Sequence, residues 1–355
     1  MSMTYRSLGR SGLKVSPLCL GMLQFGLTAD ATEGRRVLEA AREIGINFLD
    51  TANVYALGES ERITGQLIAG ERERWVLATK AGIAIGSGLY DVGLSRKALL
   101  KSIDESLKRL ATDYVDLFYF HVPDDSAPLE ESILAATAII QSGKARYWGL
   151  SNFLGWQIGA IVRRCDELGV PRPIVNQPNY NLVDRLAEAD ILTACGFYGL
   201  GVAVYSPLAR GILSGKYVPG QPAAPDSRVG RKEKRMMDME YRAESLAVAA
   251  KVADHARACG INAAQFSTAW VLNNRLVTTV VAGPRTLAQW RDYAAALDYR
   301  FTAEDEDFAN SLVPAGHYST PQHNDPIWPP MGREPYRGER LMPIAALPPT
   351  PARKS

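Results

Sequence analysis

Residues 47–65 read NFLDTANVYALGESERITG, and the rest of the chain is organised around them. An apolar, strand-like run ending at Phe48-Leu49 drops abruptly into Asp50, Thr51, Ala52 and Asn53. Tyr55 and Gly58 follow, and a helix restarts from Glu59 and Ser60. A carboxylate at the mouth of a buried strand, with a phenol one loop further on, costs free energy unless both groups find partners. The plainer reading lets Asp50 cap a turn and Tyr55 fill a surface groove. What surrounds the stretch decides between them.

Strand and helix signals alternate on both sides of it. Upstream are a two-strand signal (5–8 and 13–16 around a Gly-Arg-Ser-Gly turn), a buried strand at 18–21 and a helix at 32–44 closed by Gly45. Strand 46–50 follows. Downstream the pattern repeats: helix 60–68, strand 75–79 ending in Lys80, a Gly-rich loop over 82–93, and a long helix from Ser95 to Leu110. Strand 114–120 ends in His121, helix 129–142 follows, and strand 145–150 ends in Ser151-Asn152. Helix 154–168 leads to strand 173–176 ending in Gln177. Helix 186–198 leads to strand 201–204 ending in Tyr205-Ser206. After an insertion come helices 243–258 and 263–273, strand 278–282 and a last helix at 286–297.

Eight short buried strands alternating with helices, at about thirty to forty residues per unit, argue a (β/α)₈ barrel. The expected division is a barrel over 1–312, with the N-terminal hairpin, and a tail over 313–355. A doubly wound dinucleotide fold should carry G-x-G-x-x-G directly after a strand, and none does. Residues 196–201 hold their glycines in the wrong order and precede a strand. The GILSGK of 211–216 has neither the spacing of a phosphate loop nor its Ser or Thr.

Composition is compatible with that fold and narrows the function. At 355 residues, 46% hydrophobic and with a formal net charge of +2, the chain reads as a soluble globular protein. Nothing in that balance calls for nucleic acid or a membrane surface. The apolar runs, such as 199–205, are too short to span a bilayer, and the first twelve residues lack the apolar segment of a signal peptide. Four scattered cysteines, Cys19, Cys165, Cys195 and Cys259, show no paired spacing. Reduced cytoplasmic thiols are the expectation, without metal ligation.

In such barrels the chemistry sits at the C-terminal ends of the strands. Asp50, Lys80, His121, Asn152, Gln177 and Tyr205 each end a proposed strand, so they point into a common site. A tyrosine with a pKa near ~10 is a poor proton donor at neutral pH. A lysine ammonium beside it stabilises phenolate and is expected to lower that pKa, while the aspartate holds the lysine charged. The histidine can hydrogen-bond a carbonyl oxygen bound near the phenol. The result is an acid that protonates an alkoxide as it forms, as carbonyl reduction by hydride requires.

These residues give the chain its resemblance to the aldo-keto reductases, over nearly all of its first three hundred positions. Asp50-Thr51-Ala52-x-x-Tyr55 followed by Gly58-Glu59-Ser60-Glu61 resembles the family signature, and Thr79-Lys80 and Phe120-His121 fall where the other tetrad members belong. The resemblance makes Tyr55 the proton donor, tuned by Lys80 and Asp50, with His121 orienting the substrate. One departure is Ala56-Leu57, where the family usually has glycine soon after the tyrosine.

The resemblance extends to a cofactor site for NADP(H). Ser151, Asn152 and Gln177 are expected to meet the nicotinamide carboxamide, and Tyr205 to stack on the ring. Residues 206–217, with Ser206, Leu208, Gly211 and Lys216, resemble the loop that covers the pyrophosphate. Lys216 also reads as a solvated loop charge. Gly283, Arg285, Gln289 and Asp292 resemble the adenosine site, where Arg285 at a helix start, with Arg228 from the insertion, would favour a 2′-phosphate. The family usually has Glu-Asn where this chain has Asp292-Tyr293, which removes an expected hydrogen bond to adenine.

Residues 218–242 read either as a solvated loop or as a lid over the cofactor. The tail, with His317, Tyr318, Trp328, Pro329, Pro330 and Tyr336, is expected to pack along the barrel, near the substrate opening or at a contact with a second copy of the chain. Its last dozen or so residues read as frayed. Phe25, Tyr90, Trp148 and Trp156 are candidate pocket walls as well as candidate core. Three functions fit: a reductase of aldehydes or ketones, a non-catalytic cofactor-bound subunit like those of potassium channels, and a Schiff-base aldolase using Lys80. The third leaves Gln177, Tyr205 and Arg285 without a use.

Overall fold

A hairpin opens the chain, β1 (Arg6–Ser7) pairing antiparallel with β2 (Lys14–Val15), Arg6 opposite Val15. The computed structural model describes residues 3–218 and 220–323. Strands and helices then alternate: β3 (Leu18–Gly21), α1 (Ala31–Glu43), β4 (Phe48–Asp50), α2 (Glu59–Ile68), β5 (Val76–Ala81), α3 (Arg96–Leu110), β6 (Val115–Phe120) and α4 (Leu129–Gln141). They continue with β7 (Ala145–Ser151), α5 (Gly155–Leu168), β8 (Val175–Gln177), α6 (Ile191–Tyr198), β9 (Gly201–Tyr205), α7 (Lys234–Met239), α8 (Ala243–Ala258), α9 (Ala263–Asn273), β10 (Thr279–Ala282), α10 (Leu287–Ala295) and α11 (Ala303–Leu312). Strands β3 to β10 form one closed parallel barrel, β10 pairing with β3 as well as with β9. The (β/α)₈ architecture and the hairpin are as the sequence implied.

The period-two alternation of the strands makes two cores. Leu18, Leu20, Leu49, Leu77, Phe118 and Phe120 point outward and pack under the helices. Cys19, Phe48, Val76, Ala78, Leu117, Tyr119, Val175, Ala203 and Val281 fill the lumen. Leu8 and Val15 of the hairpin belong to this inner cluster and close its lower end, where a Cβ on Gly9 would lie 2.4 Å from the carbonyl oxygen of Ile174. One pleat above the inner layer, the same parity brings up Gly21, Asp50, Lys80, His121, Gln177, Tyr205 and Gly283. The alternation that packs the core also delivers the polar ring.

Helix ends follow local chemistry. Asp30, Ser95, Asn262 and Thr302 each cap the N-terminus of a helix with a side-chain oxygen, and Gly169 and Gly199 end α5 and α6 in the left-handed region.

Three segments differ from expectation. Helix α11 was not foreseen; only Asp305 and Ala309 on it are buried, so its apolar stripe is thin, although Thr302 and Asp305 form a capping box. Of the helix expected over 186–198, only α6 and a short 3₁₀ turn, Leu186–Glu188, form. Asp190 breaks the run by turning its carboxylate to the backbone N–H of Gly155, 2.7 Å away. The insertion over 218–242 is not simple loop, because it carries α7 with Met236 and Met239 buried. Of the tail, residues 313–323 are described. Ser319 N donates to Val183 O (3.0 Å), and Arg242 Nε donates to Thr320 Oγ1 (2.7 Å). Trp328, Pro329, Pro330 and Tyr336 lie outside the described residues. Among the described residues no helix is long and apolar enough to cross a membrane.

Candidate active site

Asp50 and Lys80 end β4 and stand near the end of β5, and both are buried. The three ammonium protons of Lys80 have three acceptors: Asp50 Oδ1, Thr51 O at 2.9 Å and Tyr55 Oη at 3.2 Å. The second carboxylate oxygen of Asp50 accepts from Gln177 Nε2 at 2.9 Å. Tyr55 meets the ring of His121 edge-on, centroids 5.8 Å apart. Since Tyr55 Oη accepts from Lys80, its own proton is free to point elsewhere. His121 is buried, and its Nδ1 has no hydrogen-bond partner.

Tyr55 is held by a strained turn. Ala56 and Leu57 both lie in the left-handed region, at φ 49° and 53°, where the missing glycine would be unstrained. Each such residue costs on the order of 1 kcal/mol, which neighbouring contacts must offset. Those contacts run through Glu61, which is wholly buried. It accepts from Thr79 Oγ1 and from Arg109 Nε, each at 2.5 Å, and the Arg109 side chain packs against Gly58. Strain is concentrated at this end of the barrel. Six of the nine non-glycine residues with positive φ among the described residues are Ala56, Leu57, Asn152, Ser206, Ala209 and Arg210.

The electrostatics correct one expectation. Lys80 does pull the Tyr55 phenol downward, but burial acts more strongly and the net shift is upward. Burial also works against the Lys80 ammonium, yet the charges of Asp50 and Tyr55 turn the net shift upward, so the ammonium persists. Burial, then the Lys80 charge, pushes His121 well below the ordinary imidazole value, and the ring is neutral at physiological pH. The resting site therefore holds a protonated phenol, a charged lysine and a neutral histidine.

The amides are engaged in the same network. Asn152 Nδ2 donates to His121 O (2.9 Å) and to Ser151 Oγ (3.1 Å), and its Oδ1 accepts from Tyr205 Oη at 2.7 Å. Ser151 Oγ donates to Gln177 O at 3.0 Å. Ser151, Asn152, Gln177 and Tyr205 thus line one side of the polar ring, next to Asp50 and His121.

Beyond Tyr205 the chain curls through Ser206, Ala209, Arg210 and Gly211, all at positive φ, with Leu208 buried and its carbonyl receiving Gly211 N at 2.8 Å. Lys216 reaches back to this curl; a Cβ on Gly211 would sit 2.7 Å from its Nζ. Burial lowers the Lys216 pKa, and the charges of Arg228 and Arg285 lower it further. Three cations lie close enough to act on one another here, and although Arg228 and Arg285 are paired with carboxylates, their charges still weigh on Lys216, which a bound anion would relieve. A Cβ on Gly283 would meet nothing within 4 Å, which leaves open space over the end of β10. These observations fit a phosphate-bearing cofactor.

Other details there depart from expectation. Arg285 is paired with Asp226 of the insertion, Nη2 to Oδ2 at 2.9 Å and Nη1 to the backbone carbonyl at 3.0 Å. Arg228 grips both oxygens of Glu233 at 2.5 and 2.7 Å. The N-terminus of α10 is partly satisfied from within: Leu287 N donates to Glu33 Oε1 (2.6 Å) and Gln289 N to Thr286 Oγ1 (3.3 Å). Gln289 Oε1 accepts from Arg285 N, and Asp292 Oδ1 from Asn262 Nδ2 at 2.7 Å, tying α10 to α9. Tyr293 is buried among apolar residues.

A sequence model described as the Aldo/keto reductase family matches residues 17–312. The chain belongs to the aldo/keto reductase family. It is 38% identical over 302 residues to a probable voltage-gated potassium channel subunit beta of Oryza sativa subsp. japonica, covering 83% of this chain and 92% of that protein. It is 34% identical over 321 residues to the L-glyceraldehyde 3-phosphate reductase of Escherichia coli O157:H7, covering 86% and 91%. An uncharacterized oxidoreductase of Bacillus subtilis (strain 168) matches at 34% over 332 residues, covering 90% and 99%.

For this family member, sequence reading missed the residues that act through charge or support. Asp226 and Arg109 stand alone in the sequence, with no spacing that ties them to Arg285 or Glu61. Arg210, whose Nε lacks a hydrogen-bond partner and lies 3.9 Å from a Glu240 oxygen, adds a second positive charge that draws the Tyr55 phenol downward. Two candidate pocket walls are core instead. Phe25 is fully buried, and Trp148 packs on Phe120 with its Nε1 donating to Pro171 O at 2.9 Å. Trp156 is 57% exposed, and Tyr90 carries Lys97 over its ring.

Proposed function

We propose that the protein is an NADPH-dependent oxidoreductase that interconverts an aldehyde or ketone with its alcohol, and that it acts in the cytoplasm. The observation that carries this reading is the ammonium of Lys80 fixed between the Asp50 carboxylate and the Tyr55 phenol, at the mouth of a barrel whose lumen below it is filled mainly by apolar side chains. The cofactor, when bound, would supply the hydride that the carbonyl carbon takes up, so the substrate oxygen must gain one proton. Tyr55 Oη gives that proton, and Lys80 stabilises the phenolate left behind. His121, neutral and held by its backbone bond to Asn152, positions the carbonyl oxygen. Gln177 keeps Asp50 aimed at Lys80. Ser151, Asn152, Gln177 and Tyr205 would hold the nicotinamide end; Ser206, Leu208, Gly211 and Lys216 would hold the phosphates. Gly283, Arg285, Gln289, Asp292 and Arg228 would hold the adenosine end.

The test is a panel of carbonyl compounds scored by NADPH oxidation, with Tyr55→Phe beside the wild type. The variant should keep its cofactor affinity and lose a factor of roughly 10²–10⁴ in turnover. Retention of more than about a tenth of the rate would place the acid elsewhere.

The relatives named as potassium channel beta subunits favour a second reading, a cofactor-bound protein whose role is to dock on a partner. Cofactor binding without turnover on any carbonyl compound would support it. The aldolase reading fails on chemistry, because Lys80 is hydrogen-bonded through three protons and kept charged, whereas a Schiff base needs a free amine.

A further inference from the structure

Away from the barrel mouth, the end of α8 meets the start of α11, and three side chains of different chemistry converge there. His255 is stacked on Phe308, ring centroids 4.0 Å apart, and stands edge-on to Phe266, so its ring is fixed. Its Nε2 lies 2.8 Å from Asp305 Oδ1 and 3.7 Å from Cys259 Sγ, and that sulfur lies 3.8 Å from the same carboxylate oxygen. A Cys-His-Asp nucleophile relay needs thiol and carboxylate on opposite imidazole nitrogens. Here both sit on one nitrogen, so the three atoms form a triangle.

The geometry points to a zinc site made by His255, Cys259 and Asp305. Bond lengths of about 2.3 Å to sulfur and about 2.0–2.2 Å to nitrogen and oxygen set tetrahedral edges near ~3.6 Å for S···N and S···O and ~3.4 Å for N···O. The two sulfur edges already match within a few tenths of an ångström. The N···O edge opens by about 0.6 Å when a metal replaces the hydrogen bond. Imidazole, thiolate and carboxylate together suit Zn²⁺ better than Mg²⁺ or Ca²⁺, which prefer oxygen alone. Asp305 is buried, and its other oxygen is held by Tyr299 Oη and Thr302 N, both at 2.9 Å, so this ligand is already oriented. Cys259 is exposed, which leaves the fourth position to water. On binding, the thiol proton passes to solvent, the proton between His255 Nε2 and Asp305 Oδ1 leaves for Nδ1 or solvent, and the metal ties α11 to α8. In the sequence only His255 and Cys259, four apart at a helix end, could suggest this; Asp305 is far along the chain.

The full chain, stripped with chelator and desalted, is titrated with Co²⁺ and then competed with Zn²⁺. One Co²⁺ per chain should bind with a thiolate charge-transfer band and tetrahedral visible bands, both removed by Zn²⁺. Zinc at about a hundred times its dissociation constant should raise Tm by ~3–6 °C and protect Cys259 from alkylation. Cys259→Ser and His255→Gln should each weaken Co²⁺ at least about tenfold and cut the Tm rise at the same zinc concentration to about half or less, with carbonyl reduction unchanged. Unchanged Co²⁺ affinity in Cys259→Ser overturns the site, and so does wild-type binding without a thiolate band. Zinc-independent alkylation of Cys259 overturns it as well, and that readout needs no variant to fold.

Discussion

If NADPH binds as proposed, its 2′-phosphate must displace Asp226 from Arg285, and this exchange can be measured. The Arg285–Asp226 pair is solvent-facing, with side chains 30% and 71% exposed, so it is worth only about 0.2–1 kcal/mol. Asp226→Asn removes the competitor and should tighten NADPH about 1.4- to 5-fold. NADH carries no 2′-phosphate and should be unchanged. Arg285→Ala removes a charge-assisted contact of about 1.5–3 kcal/mol, less the pair that no longer has to be broken. The net, roughly 0.5–2.8 kcal/mol, is a 2- to 100-fold loss of NADPH affinity. In the Arg285→Ala background, Asp226→Asn should add almost nothing, because its effect passes through the missing guanidinium. Nicotinamide fluorescence titration gives all the affinities, at low and high salt, and the Asp226 effect should shrink at high salt. If Asp226→Asn tightens both cofactors equally, the carboxylate acts on the pyrophosphate. If it weakens NADPH, the pair is an ordering contact for the insertion and the competition argument fails.

Further outcomes follow from the site and its support. Burial raises the Tyr55 phenol above the ordinary tyrosine value of ~10 and holds His121 neutral, so kcat/KM for reduction should be flat across neutrality and fall only above about pH 10, as the phenol ionises. An inflection near neutrality would show another group acting as the acid. Arg109→Met leaves the Glu61 carboxylate buried without its cation and should cost about 3 kcal/mol, near the lower end for a broken buried pair because Arg109 is 13% exposed. Urea unfolding measures it, with a lower midpoint and an unchanged slope. The double variant Glu61→Gln/Arg109→Met should lose far less, and equal losses would mean that Arg109 contributes packing rather than charge.

The barrel was legible because the lumen and the helix layer ask for opposite strand faces, so buried strands read as continuous apolar runs that stop at one polar residue each. That stop is the site. Asp50, Lys80, His121 and Gln177 are visible for this reason, without any knowledge of side-chain contacts. Helix α11 was missed because few of its residues are apolar, and its capping box, Thr302 to Asp305, is a short-range signal with no stripe to support it. The Arg285–Asp226 pair, between two loops, and the Arg228–Glu233 pair, within the insertion, were invisible for a different reason: ion pairing in irregular segments depends on chain path rather than on periodicity. The same holds for His255, Cys259 and Asp305, whose meeting depends on where α11 docks.

The direction of the Tyr55 shift carries a further point about how such a site works. Read as a sequence, Lys80 beside a tyrosine suggests a phenol made acidic at rest. The structure has the burial of the ring outweigh the lysine, so the proton stays on Tyr55 until a base appears. A carbonyl oxygen gaining negative charge is such a base. As the proton leaves, charge develops on Oη, 3.2 Å from an ammonium that Asp50 and Thr51 already hold in place. The attraction is weak toward the neutral phenol and strong toward the phenolate, in a buried site of low dielectric. Lys80 therefore acts mainly on the transition state, and its orientation does not have to change during the reaction. On this argument Asp50 matters through Lys80. Without the carboxylate, burial would draw the lysine toward its neutral form, and the phenolate would lose the charge that stabilises it.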